Sequence, residues 1–470
     1  MYLGKLLNIR ERFSTRHMEY ALTRNFLNNK TNEYGYNRVL GSGGNMYMTS
    51  NYLINGLGPI KEEEMPFEPN EDMIDISELD GKTVSYDVNN VMLKTNKIGS
   101  VCTGDEINNI KNYVQKYGAV TITTYMVGMN NNSYYNDDTY AYYYNGKHAI
   151  NHMVTIVGWD DNFSKDKFNS LNKPSKDGAW IVQNSYGEDS MDNGFFYVSY
   201  EDERICSSYL SFVDIDTEIE DNAYIYDKLG SNSALGWDDS SGNMSGIGYG
   251  MNIFTKGAKK ELLKEVSFVT YGPGTYKIYY KEGDASSTSV TNMTEIASGT
   301  LDYKGYYTHH FDESIIIDSS VKKFSIVVYW DLSINMYPIA AASNQSFDYK
   351  YLEMVDNVSY VSYSGRAGTW ADMYNSNYVL SIKAFTDDIK YTFTTSGNTV
   401  TEGNSDNVVL NVTYNNVEVD TSKLKYVVRN SLGYEITNFN VSHSTDSKGL
   451  LSASKLDFYN GLDNGSYQLY

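Results

Sequence analysis

The sequence predicts an α+β domain, one half helical and one half strand-rich, followed by all-β sandwich modules. Three observations carry this. Apolar residues recur at helical spacing before residue 60. Apolar runs of strand length follow between residues 119 and 200. After about residue 215 the texture changes to alternating strands punctuated by Gly, Asn, Asp and Ser, as in a β-sandwich. A chain of 470 residues has room for about three domains. The changes in texture divide it into 1–210, 215–387 and 389–470.

In the first domain, Leu3, Leu6 and Leu7 repeat at helical spacing, and His17 to Phe26 continues the pattern. The loop Gly41-Ser42-Gly43-Gly44-Asn45 interrupts it, and a short helix through Met46 to Leu53 follows. Residues 61–100 are acidic and irregular, with Glu62-Glu63-Glu64 and two prolines. Asp105 to Val114 forms an amphipathic helix that Gly118 ends as a C-cap. Ala119–Tyr125, His152–Gly158, Ala179–Gln183 and Asn193–Tyr200 read as strands, and the polar stretch Asp160–Lys176 reads as a loop.

In the second domain the strands are Val266–Tyr271, Tyr276–Tyr280 and Phe324–Trp330, closing near Ile382–Thr386. In the third they are Val408–Thr413 and Leu424–Val428, which suggests a partial Ig-like β module.

Composition narrows the function. A hydrophobic fraction of 41% with 21% charged residues suits a globular protein with packed cores. Forty-five Tyr and only 6 Pro favour strands. The net charge of −21 argues against nucleic acid, which demands a basic footprint, and against an anionic membrane surface. No window approaches the roughly 18 apolar residues of a membrane span. The opening Met1–Asn8 has no charged region ahead of an apolar stretch, so no signal peptide is expected in this chain. Two cysteines, Cys102 and Cys206, are too few for a disulfide framework or a Cys-rich metal site. One disulfide is compatible with them, but spacing does not establish it.

The chemistry concentrates in two segments. Asn151-His152-Met153-Val154-Thr155-Ile156-Val157-Gly158 places His152 at the start of an apolar strand. Gly178-Ala179-Trp180-Ile181-Val182-Gln183-Asn184-Ser185-Tyr186-Gly187 places Asn184 at the end of another. A histidine at a strand end can face a cleft, and a nearby carboxamide can accept from one ring N–H and fix the tautomer. Trp180 and Tyr186 are placed to shield that bond from water.

These segments resemble the Asn-His-Ala-Val-x-Ile-Val-Gly and Trp-Ile-Val-Lys-Asn-Ser-Trp-Gly stretches of papain-like cysteine peptidases. Asn193 to Ile205 is similar to the Gly-Tyr-Phe strand that follows in that family. The resemblance implies a papain-like α+β fold and cysteine-type endopeptidase activity. His152 would be the catalytic histidine and Asn184 its partner. Tyr186 stands where the family has tryptophan. The family also has a Gly-Gly pair that presents backbone to an extended substrate, and the match assigns this role to Gly43 and Gly44. Tyr52 to Phe67 is similar to the helix and Gly-Pro turn that come next.

The family's nucleophile lies upstream of all this, in a Cys-Trp setting that opens a long helix, with an oxyanion-hole glutamine before it. Met1–Leu7 is similar to the later turns of that helix, so the match puts both residues ahead of Met1 and implies a chain inactive on peptides in this form. Cys102 is the other candidate thiol, since it precedes a helix, where a thiol pKa falls. Its helix matches the family's element leading to the histidine strand instead. The expectation is therefore a partly buried structural thiol, and Cys206 carries no signal. His148 falls outside the matching register and is expected in a loop. His17, His309, His310 and His443 show no constellation and are expected at the surface.

Residues 215–387 resemble the lectin-like β-sandwich that follows the papain-like domain in clostridial cell-surface cysteine peptidases. Met251–Tyr280 and Ser362–Thr386 carry this match. It implies a secreted or cell-surface protein acting on a protein or peptide substrate, with cell-wall or surface-layer components as partners. No cofactor is expected beyond a Ca²⁺ ion that such a lectin-like domain can hold. Asp238, Asp239 and Asp372 are acidic turn residues to which no metal is assigned. The alternative reading is a catalytically inactive surface protein that binds peptide or glycan.

Overall fold

The computed structural model describes residues 11–23, 35–38, 40–68, 76–96, 99, 101–128, 133–344 and 352–389. Beyond these it describes 391–396, 407–414, 417–418, 424–437, 439–445, 451–458 and 467–469. The helical pattern expected at Leu3 to Leu7 lies outside the described residues. The chain divides into two compact units, Met1–Ala258 with Leu263–Thr386, and Lys259–Leu262 with Asp387–Tyr470.

The first unit opens with helices α1 (Thr15–Leu22) and α2 (Met46–Ile54). Ser14 caps α1 by accepting from His17 N, and Asn45 caps α2 by accepting from Met48 N, each satisfying an otherwise orphaned N–H. α2 buries Tyr52, Leu53 and Ile54. These join Leu22, Tyr36, Val88, Val91, Leu210 and Phe212 in one core.

Helix α3 (Gly104–Tyr117) begins with a capping box in which the Thr103 hydroxyl accepts from Glu106 N and the Glu106 carboxylate accepts from Thr103 N. Gly118 ends it in the left-handed region, as the sequence predicts. Its inner face, Ile110 and Val114, packs against Val120, Ile122, Ile156, Trp180 and Val182.

Eight strands of this first part share a sheet: β1 (Asp87–Thr95), β2 (Val120–Thr124), β3 (Tyr135–Asn136), β4 (Ala141–Tyr142), β5 (His152–Asp160), β6 (Ala179–Gln183), β7 (Phe195–Ser199) and β8 (Ser208–Asp216). Their order is β3-β4-β7-β6-β5-β2-β8-β1. β1 falls in the segment expected to be irregular. Its pairing with β8 shifts register on both sides of Asn90. That bulge breaks the alternation by which a strand announces itself in sequence.

The same sheet continues past β1 into the second part of the chain. That part holds β9 (Asn222–Tyr224), β10 (Ser233–Leu235), β11 (Ile247–Thr255), β12 (Glu261–Thr270), β13 (Gly274–Glu282), β14 (Thr294–Leu301) and β15 (Gly305–Ile317). β16 (Lys323–Leu332), β17 (Ile339–Ser343), β18 (Ser359–Ser362), β19 (Ala371–Asp372), β20 (Tyr378–Leu380) and β21 (Ile382–Asp388) complete it. The long sheet runs on from β1 as β15-β12-β21-β9, giving 12 strands. A second sheet has the order β14-β13-β16-β11-β18-β19. Phe268, Ile317 and Ile382 of the first meet Phe254, Ile278, Phe324 and Trp330 of the second in one apolar core. This is the two-sheet packing expected of the sandwich.

At the junction, Val91 pairs with Tyr306 and Met92 with Gly305. Thr308 N donates to the Asn90 side-chain oxygen (3.1 Å) and its hydroxyl to the Asn89 carbonyl (2.6 Å). Tyr306 is buried in the core that α2 and β1 build. A Cβ at Gly305 would overlap the Val91 carbonyl oxygen, so only glycine allows this approach.

In the second unit, Tyr391–Ser396, Asn407–Tyr414, Leu451–Phe458 and Phe439–Thr445 pair in that order as an antiparallel sheet. Val428–Asn430 pairs with both Glu435–Ile436 and Tyr467–Leu469 in another.

Candidate active site

β5 and β6 are antiparallel neighbours, with Thr155 opposite Gln183. That register carries the first residue of β5 toward the residue that follows β6. His152 Nε2 lies 2.9 Å from Asn184 Oδ1. The two residues singled out in sequence are thus brought together.

Both are held by backbone. Asn184 N donates to the Gly194 carbonyl (2.9 Å) and Asn151 N to the Thr124 carbonyl (3.1 Å). The Asn151 carboxamide also clamps Met126, accepting from its N–H at 2.8 Å and donating to its carbonyl at 3.0 Å. Asn151 therefore fixes the chain immediately before the histidine. Sequence reasoning assigned it no role, and an amide at a strand edge is the only trace it leaves.

The hydrogen bonds also decide the tautomer. Asn184 Oδ1 accepts from Ser185 N at 2.9 Å, so the oxygen, and not the amide nitrogen, faces the ring. Nε2 of His152 must then be the donor. In the neutral imidazole this leaves Nδ1 as the acceptor, free to take and return a proton. Asn184 is 9% exposed, and its Nδ2 has no hydrogen-bond partner among the described residues. Such a group typically costs about 1–3 kcal/mol, which the fold tolerates to hold the carboxamide in this pose.

Tyr186 is 52% exposed, and its ring centroid stands 5.6 Å from that of His152. Trp180 was expected to share that shielding role. It lies instead in the core behind, edge-on to Tyr200 at 4.7 Å.

Gly43 and Gly44 lie in the exposed loop that leads into α2. Gly43 has φ +70°, a conformation that strains any residue with a side chain, and a Cβ there would meet no atom within 4 Å. Glu19 of α1 holds this loop by accepting from Gly41 N at 2.6 Å while pairing with Arg38 at 3.4 Å. A cavity of about 150 Å³ lies between α1, α2 and β5, lined by Met18, Thr49, Tyr52 and Met153.

Cys102 and Cys206 are joined in a disulfide with Cα atoms 5.3 Å apart. Cys102 is therefore neither a nucleophile nor the free structural thiol expected from sequence. The bond ties the start of α3 to the turn after Asp202. That carboxylate is fully buried and accepts from the N–H groups of Tyr144, Arg204 and Ile205. Spacing of 104 residues could not reveal the pairing. Neither cysteine of this chain is free.

The remaining histidines lie only in part where the sequence predicts them. His148 is exposed in a loop, as expected, and stacks on Tyr125 at 5.0 Å. His17 is not at the surface. It is 5% exposed, with Nδ1 2.7 Å from the Tyr52 hydroxyl. Burial, reinforced by Lys82, holds its pKa down to about 4. His309 is half-buried against the Tyr276 hydroxyl (2.9 Å), and His443 against that of Ser454 (2.9 Å). His310 is exposed but has a constellation after all: Asp214 at 3.6 Å, and then Glu265 at 2.7 Å, raise its pKa to about 10. Asp87 beside them is pushed up to about 7 by burial and by the charges of Glu265 and Asp216. Asp239 and Asp372 accept from backbone N–H groups in their own turns.

Two domain families and solved structures resemble this chain. Residues 28–213 match the papain family cysteine proteases and residues 223–386 match the lectin-like domain. Residues 28–213 are a papain-family cysteine protease domain, and residues 223–386 are a lectin-like domain. The structure of the chain is similar to that of Cwp84, a clostridial cysteine protease, after propeptide cleavage. The TM-score is 0.69 at 25% identity, over 82% of this chain and 91% of that one. It is also similar to the cysteine protease and lectin-like domains of Cwp84, described as a surface layer associated protein of Clostridium difficile. There the TM-score is 0.67 at 26% identity, over 82% of this chain and 81% of that one. No curated protein matches. No helix among the described residues is long and apolar enough to cross a membrane.

Proposed function

We propose that this papain-family domain is the histidine–asparagine half of a cysteine endopeptidase acting at the cell surface, with a thiolate contributed from outside these 470 residues. The observation that supports it is the His152–Asn184 bond, with the carboxamide oriented by Ser185 N.

In this reading His152 Nδ1 takes the thiol proton, and the thiolate attacks the peptide carbonyl carbon. A C–S bond forms and an oxyanion develops. The intermediate collapses with cleavage of the C–N bond, and imidazolium Nδ1–H gives its proton to the departing amine. Water activated by the same nitrogen then hydrolyses the thioester. Asn184 keeps the ring in the productive tautomer throughout, and Gly43 and Gly44 offer backbone to an extended substrate. Substrates among surface-layer proteins are inferred from the surface-layer association of the similar protease.

The second reading, a non-catalytic surface protein that binds peptide or glycan, is favoured by one observation: both cysteines are consumed in the disulfide. The two are separated by sequencing the codons upstream of Met1 and assaying peptide cleavage with and without any in-frame Cys segment found there. The proposal expects the chain alone to be inactive and the extended form active, with His152→Ala lowering its rate about 10²- to 10⁴-fold. Turnover by the chain alone that Cys102→Ala abolishes would refute it. An extended form without a cysteine would favour the binding protein.

A further inference from the structure

A cavity of about 330 Å³ opens where the protease and lectin-like domains meet, inside the first compact unit. Pockets of this size take small ligands and side chains. One wall is built by α2 and the residue before it: Asn45, which directly follows Gly44, and Tyr47, exposed at the mouth. The floor is apolar, with Ile54 and Val91 both buried. The opposite wall belongs to the lectin-like domain and carries Tyr271 and Lys304.

Lys304 decides what the cavity suits. It is half-buried in the bend before β15, and its Nζ stands 5.5 Å from the centroid of the Tyr271 ring. That ring is fixed, because the Tyr271 hydroxyl donates to the Ser233 carbonyl at 2.8 Å. No carboxylate pairs with Lys304 among the described residues, although the chain has 59 Asp and Glu. Burial alone pushes its pKa below the usual lysine range. A half-buried ammonium loses hydration without gaining a counter-charge, and an anion entering the cavity would supply one.

We propose that this cavity is a substrate subsite for an acidic side chain, glutamate before aspartate, of a peptide laid along Gly43 and Gly44, which rests on the reading of that loop as the substrate clamp. The carboxylate meets Lys304, and the longer stem of glutamate covers the apolar floor. A peptide is the fitting source of the anion because the wall at Asn45 continues directly from the glycine loop. The lectin-like domain then reads amino-acid sequence in the protease's substrate, and the two domains build one specificity site.

The test measures binding, which needs no nucleophile, so the 470-residue chain is used as it stands. Fluorescently labelled peptides that differ only in carrying Glu or Gln, at each position in turn, are titrated by anisotropy. At one position the Glu peptide should bind about 10-fold tighter than the Gln peptide. Lys304→Gln should abolish that preference, Lys304→Arg should retain it, and Lys304→Glu should transfer it to a Lys peptide. A lysine that merely supports the fold would give no such reversal. Should Lys304→Gln fail to fold, Tyr47→Glu sets a carboxylate at the mouth, in the first turn of α2 where the helix favours it, and should erase the preference for Glu. Equal affinities at every position, or a preference that survives these variants, overturn the proposal and leave cleavage by the extended form untouched. A chain that binds none of the peptides overturns the subsite and the glycine clamp together. An extended form that keeps the Glu preference but cleaves nothing supports the subsite and refutes the protease reading alone.

Discussion

His17 shows how one buried ring couples this fold to acid. Its folded pKa near 4 lies below the roughly 6.5 of an unfolded histidine, so the native state selects the neutral form. The stability linked to it is complete above about pH 6.5. It is lost as the pH falls toward 4, by at most about 1.4 kcal/mol per pH unit. Urea melts at several pH values should show His17→Gln losing less stability than the parent across that window. Parallel curves for the two proteins would disprove the assignment. His152 and Asn184 were legible in sequence because two motifs of fixed register carried them. The burial of His17 was not, because its partner Tyr52 lies 35 residues away on another helix. His310 escaped for the same reason, since its carboxylates come from β8 and β12.

Among the elements, α3 was legible because every local signal agreed: an amphipathic pattern, a Thr–Glu capping box and a terminal glycine. β1 was not, because its bulge replaced alternation with Val88, Val91 and Met92 buried at uneven intervals. The disulfide belongs to this scale too, since it staples the α3 N-terminus to the turn preceding β8. It closes a loop of 104 residues, for which loop-closure entropy predicts about 4–5 kcal/mol of stabilisation. Replacing both cysteines by serine should lower the unfolding free energy by about 2–5 kcal/mol in denaturant titrations. A double variant as stable as the parent would show that the staple adds nothing. A bond of this kind also suits an oxidising compartment, in keeping with a protein of the cell exterior.

At the scale of the molecule, the 12-stranded sheet joins the protease and lectin-like parts within one compact unit. The sequence divides them by texture near residue 215 and gives no hint that β1 would pair with β15, because parity of strands far apart in the chain leaves no local pattern. Gly305→Ala tests the seam directly. The added methyl must displace the Val91 carbonyl, so the variant should lose at least about 1–3 kcal/mol. Calorimetry should also show one unfolding transition for the first unit in the parent and two in the variant. A single, unshifted transition would mean that the two parts are not coupled at this point.

The pairing of Cys102 with Cys206 leaves every sulfhydryl of these 470 residues occupied. Without a reductant, the folded chain is therefore inert to maleimides and iodoacetamide. Any alkylating label that enters a longer form of the protein under those conditions reports a cysteine from beyond these residues, so one covalent tag would find the reactive sulfur with no background from the fold.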